Sequence, residues 1–115
     1  PNYDDWATIG CDDSDSYIGI TWYNYLMTDE DFRAKVRARW DEVKDNMLST
    51  ALDTLDYYKP LITPSANKNF EVWDTLGITN GFQPAAMKEE TTYTNQLQYL
   101  TRFLYAREKW IDENL

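Results

Sequence analysis

Three stretches of this chain hold residue types that could do chemistry. The first is CDDSDSYIG, Cys11 to Gly19, whose clustered aspartates and serines suggest oxygen ligation of calcium. An EF-hand loop needs oxygens at its positions 1, 3 and 5, glycine at 6 and glutamate at 12. Counted from Asp13, the sixth residue is Ile18 and the twelfth Asn24; counted from Asp12, they are Tyr17 and Tyr23. Neither register works, and the stretch reads as a solvated acidic turn. The second is the run Arg33, Lys35, Arg37 and Arg39, which could hold phosphate. The third is AREKWIDENL, where Arg107 and Trp110 lie one helical turn apart and Asp112 follows. Arg–Trp stacking or an Arg–carboxylate pair there would fix the last helix to its neighbour.

Other chemistry is excluded by what the chain lacks. It contains no histidine, which removes Ser-His-Asp and Cys-His catalysis and imidazole zinc sites. A single cysteine, Cys11, allows no internal disulfide, and the adjacent Asp12 and Asp13 disfavour its thiolate. Four glycines are scattered and no G-x-x-x-x-G-K-[ST] loop occurs, so the chain has no phosphate cradle. The carboxylates are numerous enough for a glycosidase-like pair, but Asp29, Asp31, Asp53, Asp56, Glu89 and Glu90 sit in helix first turns or exposed stripes. No catalytic, cofactor-binding or metal-binding residue is assigned.

Twenty acidic residues against eleven basic ones give a formal charge of −9. Such a chain repels nucleic acid and anionic membrane surfaces at long range. No run of about 18 apolar residues is present to span a bilayer. At 115 residues, 43% apolar and 16% aromatic, the chain is one domain or part of one, long enough to bury a core without a metal or disulfide staple.

The elements that would position these residues are helical. Residues 1–21 lack sustained periodicity and read as an irregular acidic arm, with a short strand or turn near Tyr17 to Ile20. Thr28, with Asp31 three residues on, resembles a capping box. Phe32, Val36, Trp40, Val43 and Met47 then recur at helical spacing as one apolar stripe. At about 100° per residue, Lys35 and Arg39 fall to one side of Val36, and Arg33 and Arg37 to the other. The four cations therefore flank the seam, their stems covering its edges. Asp29–Arg33 and Asp31–Lys35 have favourable spacing for surface pairs.

A second helix is expected from Ser49 with Leu52, Leu55 and Tyr58 on its inner side, ending or kinking at Pro60. Thr63-Pro64 reads as a fresh start, capped by Thr63, with Ala66, Phe70 and Trp73 inward and Gly77 as the stop. The sequence leaves open whether these are two helices or one bent helix. After the connection at 78–90, Thr91 or Thr92 caps a terminal helix. Its seam is Leu97, Leu100, Leu104, Ile111 and Leu115, widened by Tyr99, Phe103 and Trp110, a stripe broad enough for more than one neighbour. The expected class is all-α: three to four bundle-like helices over residues 22–115, preceded by the arm.

Three pieces in this order resemble the CotH family of spore-coat, kinase-like proteins. WYNYLMTDEDFRAKVRARWDEV supplies Trp22, Leu26, Asp29 or Asp31, Phe32, Val36, Arg39 and Trp40; SANKNFEVW supplies Asn69, Phe70 and Trp73; YLTRFLYAREKWIDENL supplies Leu100 or Leu104, Arg107, Trp110 and Asp112. The resemblance implies secreted or surface proteins with an atypical protein-kinase fold, in which a lysine and the aspartates of a D-x-D-type motif hold ATP and Mg²⁺. Those groups are implied to precede the segment seen here. Residues 1–21 offer Asp4-Asp5-Trp6 but no W-D-x-D match, so no catalytic residue carries over.

The resemblance implies a helical C-terminal part of a secreted CotH-like kinase, structural and without activity of its own. Its expected partner is the remainder of a larger CotH-like chain or another protein, and its expected location is extracellular or on a bacterial cell surface. Whether the chain is an enzyme stays open. The rival readings are a free-standing extracellular module binding carbohydrate or protein through aromatics such as Trp6, Tyr17 and Trp22, and a metal-dependent enzyme built on Asp13 and Asp15.

Overall fold

The computed structural model describes residues 25–78 and 85–115. Helix α1 runs over Glu30–Val72, a 3₁₀ turn over Ala85–Glu89 and helix α2 over Tyr93–Asn114. The described residues contain no strand, so the all-α expectation holds, but there are two long helices in place of three or four. They form a packed pair. The arm of residues 1–21, with its calcium-like turn and its aromatics, lies outside the described residues.

The miscount comes from α1, which runs unbroken for 43 residues through Ser49, Pro60 and Pro64. Each proline removes one backbone donor and crowds the carbonyl four residues earlier, bending a helix where neighbouring contacts carry it onward. Pro60 and Pro64 are themselves four residues apart and share a face, so their bends add. A straight helix of this length would measure about 64 Å, whereas the longest principal extent of the chain is 51 Å. Thr63 does not cap a new helix. Its hydroxyl donates to the Lys59 carbonyl at 2.6 Å, adding a bond inside the turn that holds both prolines. Ser49 likewise turns its hydroxyl back onto the Asn46 carbonyl at 3.1 Å.

The start of α1 lies one residue later than the capping-box pattern suggests. Asp29 is the N-cap, with extended backbone (φ −82, ψ 119), and its Oδ1 accepts from the Phe32 N–H at 2.8 Å. Thr28 is used upstream, its hydroxyl donating to the Tyr25 carbonyl at 2.7 Å. Asp wins because its carboxylate both accepts the free amide and meets the positive helix end. For α2 the cap is Thr92, whose Oγ1 accepts from the Asn95 N–H at 3.1 Å.

Helix α1 ends at Trp73, whose N–H still reaches the Asn69 carbonyl at 2.8 Å. Gly77 serves the turn beyond. It has φ +75 at the third position of a turn closed by the Ile78 N–H on the Thr75 carbonyl, 3.3 Å, a conformation that favours glycine. A Cβ there would also lie 3.0 Å from Thr91 Cγ2 and 3.2 Å from the Lys88 carbonyl oxygen. The turn is thus fitted against the approach to α2.

The helices run antiparallel. Near the start of α1, Arg37, Trp40 and Lys44 meet Asp112 at the end of α2. Near its other end, the Phe70 and Tyr93 rings lie 6.1 Å apart, centroid to centroid. Trp40 is the one buried residue among those described, 9% exposed. Phe32, Val36 and Val43 of the same stripe are half-buried, and Met47 is exposed. A core this thin leaves large apolar side chains in solvent: Tyr57 is 66%, Leu61 60% and Trp73 64% exposed.

Candidate functional site

Where the two helices cross, four side chains, Arg37, Trp40, Asp41 and Lys44, gather around the carboxylate of Asp112. Arg37, Trp40 and Lys44 stand at i, i+3 and i+7 of α1, a spacing that stacks them on one face. From the end of α2, Asp112 projects into this row. Its Oδ1 accepts from Lys44 Nζ at 2.6 Å, Arg37 Nη2 at 3.0 Å and the Trp40 indole N–H at 3.1 Å. Arg37 also donates through Nη1 to the Asp112 backbone carbonyl at 2.6 Å. On its other side, Arg37 forks onto Asp41, with Nε to Oδ2 at 3.1 Å and Nη2 to Oδ1 at 2.8 Å. Lys44 lies 3.5 Å from Asp41.

Helix electrostatics explain why the cations come from the opposite helix. The last carbonyls of a helix lack intrahelical donors and carry the negative end of its dipole. Helix α2 has no basic residue in its last turn, and Asp112 adds a further negative charge there. Arg37 and Lys44 of α1 answer both, one by capping a free carbonyl and both by pairing the carboxylate. The cluster closes with two cations and two anions.

The proton affinities follow from these contacts. Asp112 is held below its ordinary 3.8 by the Lys44 hydrogen bond first, then by the Trp40 indole and the nearby positive charges, against partial desolvation. Asp41 is lowered chiefly by Arg37. Lys44 is raised, mainly by its bond to Asp112, and Arg37 mainly by its bond to Asp41. All four stay charged near neutral pH. This arrangement clamps two helices together. It makes a poor acid or base, because neither carboxylate can take a proton without breaking the clamp.

An Arg–carboxylate pair does anchor the last helix, and Arg37 of α1 makes it with Asp112. Arg107 stacks over the Trp110 ring within α2, 4.8 Å from the ring centroid. Of the four basic residues in the run, Arg33, Lys35 and Arg39 keep to the flanks of the seam, whereas Arg37 joins the clamp. Surface pairing in this part of α1 takes the form Arg39–Glu42, 2.7 Å, and Arg37–Asp41, 2.8 Å, rather than Asp29–Arg33 and Asp31–Lys35. The spacing of Arg37, Trp40 and Lys44 was the available signal for the site.

Beside the clamp lies an apolar groove of about 450 Å³, floored by Val36, Trp40, Val43, Ile111 and Leu115 and edged by Lys35 and Arg39. The stems of those two cations cover the seam's edge as expected. A second cleft of about 290 Å³ shares Leu115 and is lined by Glu30, Arg33, Ala34 and Arg37. Among the described residues no group of three or more acidic, cysteine or histidine side chains is placed to hold a metal ion. No described helix is long and apolar enough to cross a membrane.

The clamp joins two stretches far apart in sequence, one around Trp40 and one around Asp112, and these are two of the three stretches whose motifs resemble the kinase-like spore-coat proteins. The family model described as CotH kinase protein matches residues 12–111. The chain belongs to the CotH family. No curated protein matches it, and no solved structure does. Among the described residues, the clamp carboxylates are engaged by Arg37 and Lys44, and no group of three or more acidic side chains is placed to hold the Mg²⁺ implied by that family.

Proposed function

We propose that this chain is a helical C-terminal region of a CotH-like kinase, bracing the nucleotide-binding part of the fold without catalysing phosphoryl transfer by itself. The observation that carries this reading is the far half of α1. There Tyr57, Tyr58, Leu61, Ile62, Val72 and Trp73 are all exposed, an apolar ridge of the kind that marks an interaction surface. The engaged carboxylates support it further, since a clamp suits a scaffold and not a metal site. In this reading the partner is the remainder of a larger CotH-like chain, and the location is the bacterial cell surface or beyond.

Two measurements test it. Titration of the 115-residue chain with ATP and Mg²⁺ in a calorimeter is expected to give no binding heat, and tight binding overturns the reading. A separately produced polypeptide carrying a CotH-type nucleotide-binding lobe is expected to co-elute with the chain. Leu61→Glu together with Trp73→Glu is expected to abolish co-elution while leaving the helix content unchanged.

A further inference from the structure

The groove beside the clamp lies on the near half of α1, away from the ridge, and its chemistry differs. Its floor is apolar: Val36, Trp40, Val43, Ile111 and Leu115. Two helices with an open seam between them offer the usual seat for a third helix. The two charged side chains that line it are both cationic. In a chain of net charge −9, Lys35 and Arg39 edge the groove, while the adjoining cleft holds Arg33 and Arg37 together with Glu30. Arg39 is shared with Glu42 at an exposed position, 67% exposed on each side, a pair that is readily exchanged for another carboxylate. Arg37 and Lys44 are committed to the clamp.

We infer that this groove docks an acidic amphipathic helix from another polypeptide, its apolar residues on Val36, Val43 and Ile111 and its carboxylates against Lys35 and Arg39. Basic or neutral helices meet the same floor but lose the edge contacts. The inference rests on the groove and its charges and stands whether or not the far ridge braces a kinase core.

The probes are two labelled, helix-forming peptides with leucines along one face, flanked by glutamates in one and by lysines in the other. Fluorescence anisotropy with the 115-residue chain is expected to show the glutamate peptide binding at least about tenfold more tightly than the lysine peptide, with affinity falling as salt rises. Lys35→Glu with Arg39→Glu, both at exposed positions, is expected to reverse the preference with an unchanged circular dichroism spectrum. Equal affinity for the two peptides, absence of binding at millimolar concentration, or binding indifferent to the double variant would each overturn the inference. So would sedimentation showing a dimer lost in the Val43→Glu variant, since the groove would then belong to a second copy.

Discussion

The Trp40 indole N–H donates to Asp112 Oδ1 at 3.1 Å, across 72 positions of sequence. The single buried side chain among the described residues is thereby hydrogen-bonded to the carboxylate on which the other contacts of the clamp converge. Apolar burial and polar satisfaction depend on the same ring, so disturbing either disturbs both.

Replacing Trp40 by alanine should therefore be the most damaging substitution in the helix pair, costing about 3–5 kcal/mol of stability. Trp40→Phe restores part of the packing but leaves out the N–H, and its stability should fall between the two. Urea unfolding followed by circular dichroism would give the order; a phenylalanine variant as stable as the native chain would mean that the indole bond contributes nothing.

Acid should weaken the clamp. Asp112 and Asp41 are lowered from 3.8 in the folded chain, so their stabilisation is complete above the ordinary carboxylate range and is lost as pH falls through their depressed folded values. Lys44 is raised from 10.5, so its share is complete below 10.5 and is lost only as pH rises through its higher folded value. Melting temperature should be level through neutral pH and drop below about pH 4. Asp112→Asn should lower the level part and shrink the acid drop. Melting curves across pH for both proteins would check this.

Gly77→Ala should cost about 1–3 kcal/mol, combining a left-handed backbone unsuited to a Cβ with contact against Thr91 and Lys88. The loss should be seen in thermal melts without a change in helix content, because Gly77 lies outside both helices.

Exchanging Pro60 and Pro64 together for alanine should deepen the helical circular dichroism signal, since two backbone donors return and residues of poor helix propensity are removed. The straightened helix should also pull Phe70 away from Tyr93. A shift of the Tyr93 ring resonances would report that loss, and unchanged resonances would show that the bend plays no part in bringing the rings together.

What could be read from the sequence depended on the range over which each signal acts. The stripe from Phe32 to Val43, the Thr92 cap and the helical class follow from spacing and local chemistry and are present, whereas Met47 at the end of that stripe is exposed. Asp29 displaced Thr28 as the first cap because both types compete for the same amides and one residue of register decides between them. Around Pro60 and Pro64 the sequence leaves one bent helix and two helices both open, because the prolines' own preference points to a boundary, whereas the Phe70–Tyr93 contact lies far along the helix. By spacing alone Arg37 reads as a flanking cation, because its partner lies 75 positions away. The row of Arg37, Trp40 and Lys44 was visible as spacing, but nothing local said that a carboxylate would meet it.

The two prolines also make the chain sensitive to phase. Inserting one residue between them would turn the second ring by about 100° around the axis, so the paired deflections would no longer reinforce one another. The far arm of α1 would swing away and carry Val72 and Trp73 with it, while the Trp40 end stayed locked. Length between positions 60 and 64, more than the identity of the residues there, should thus decide where the outer segment is aimed.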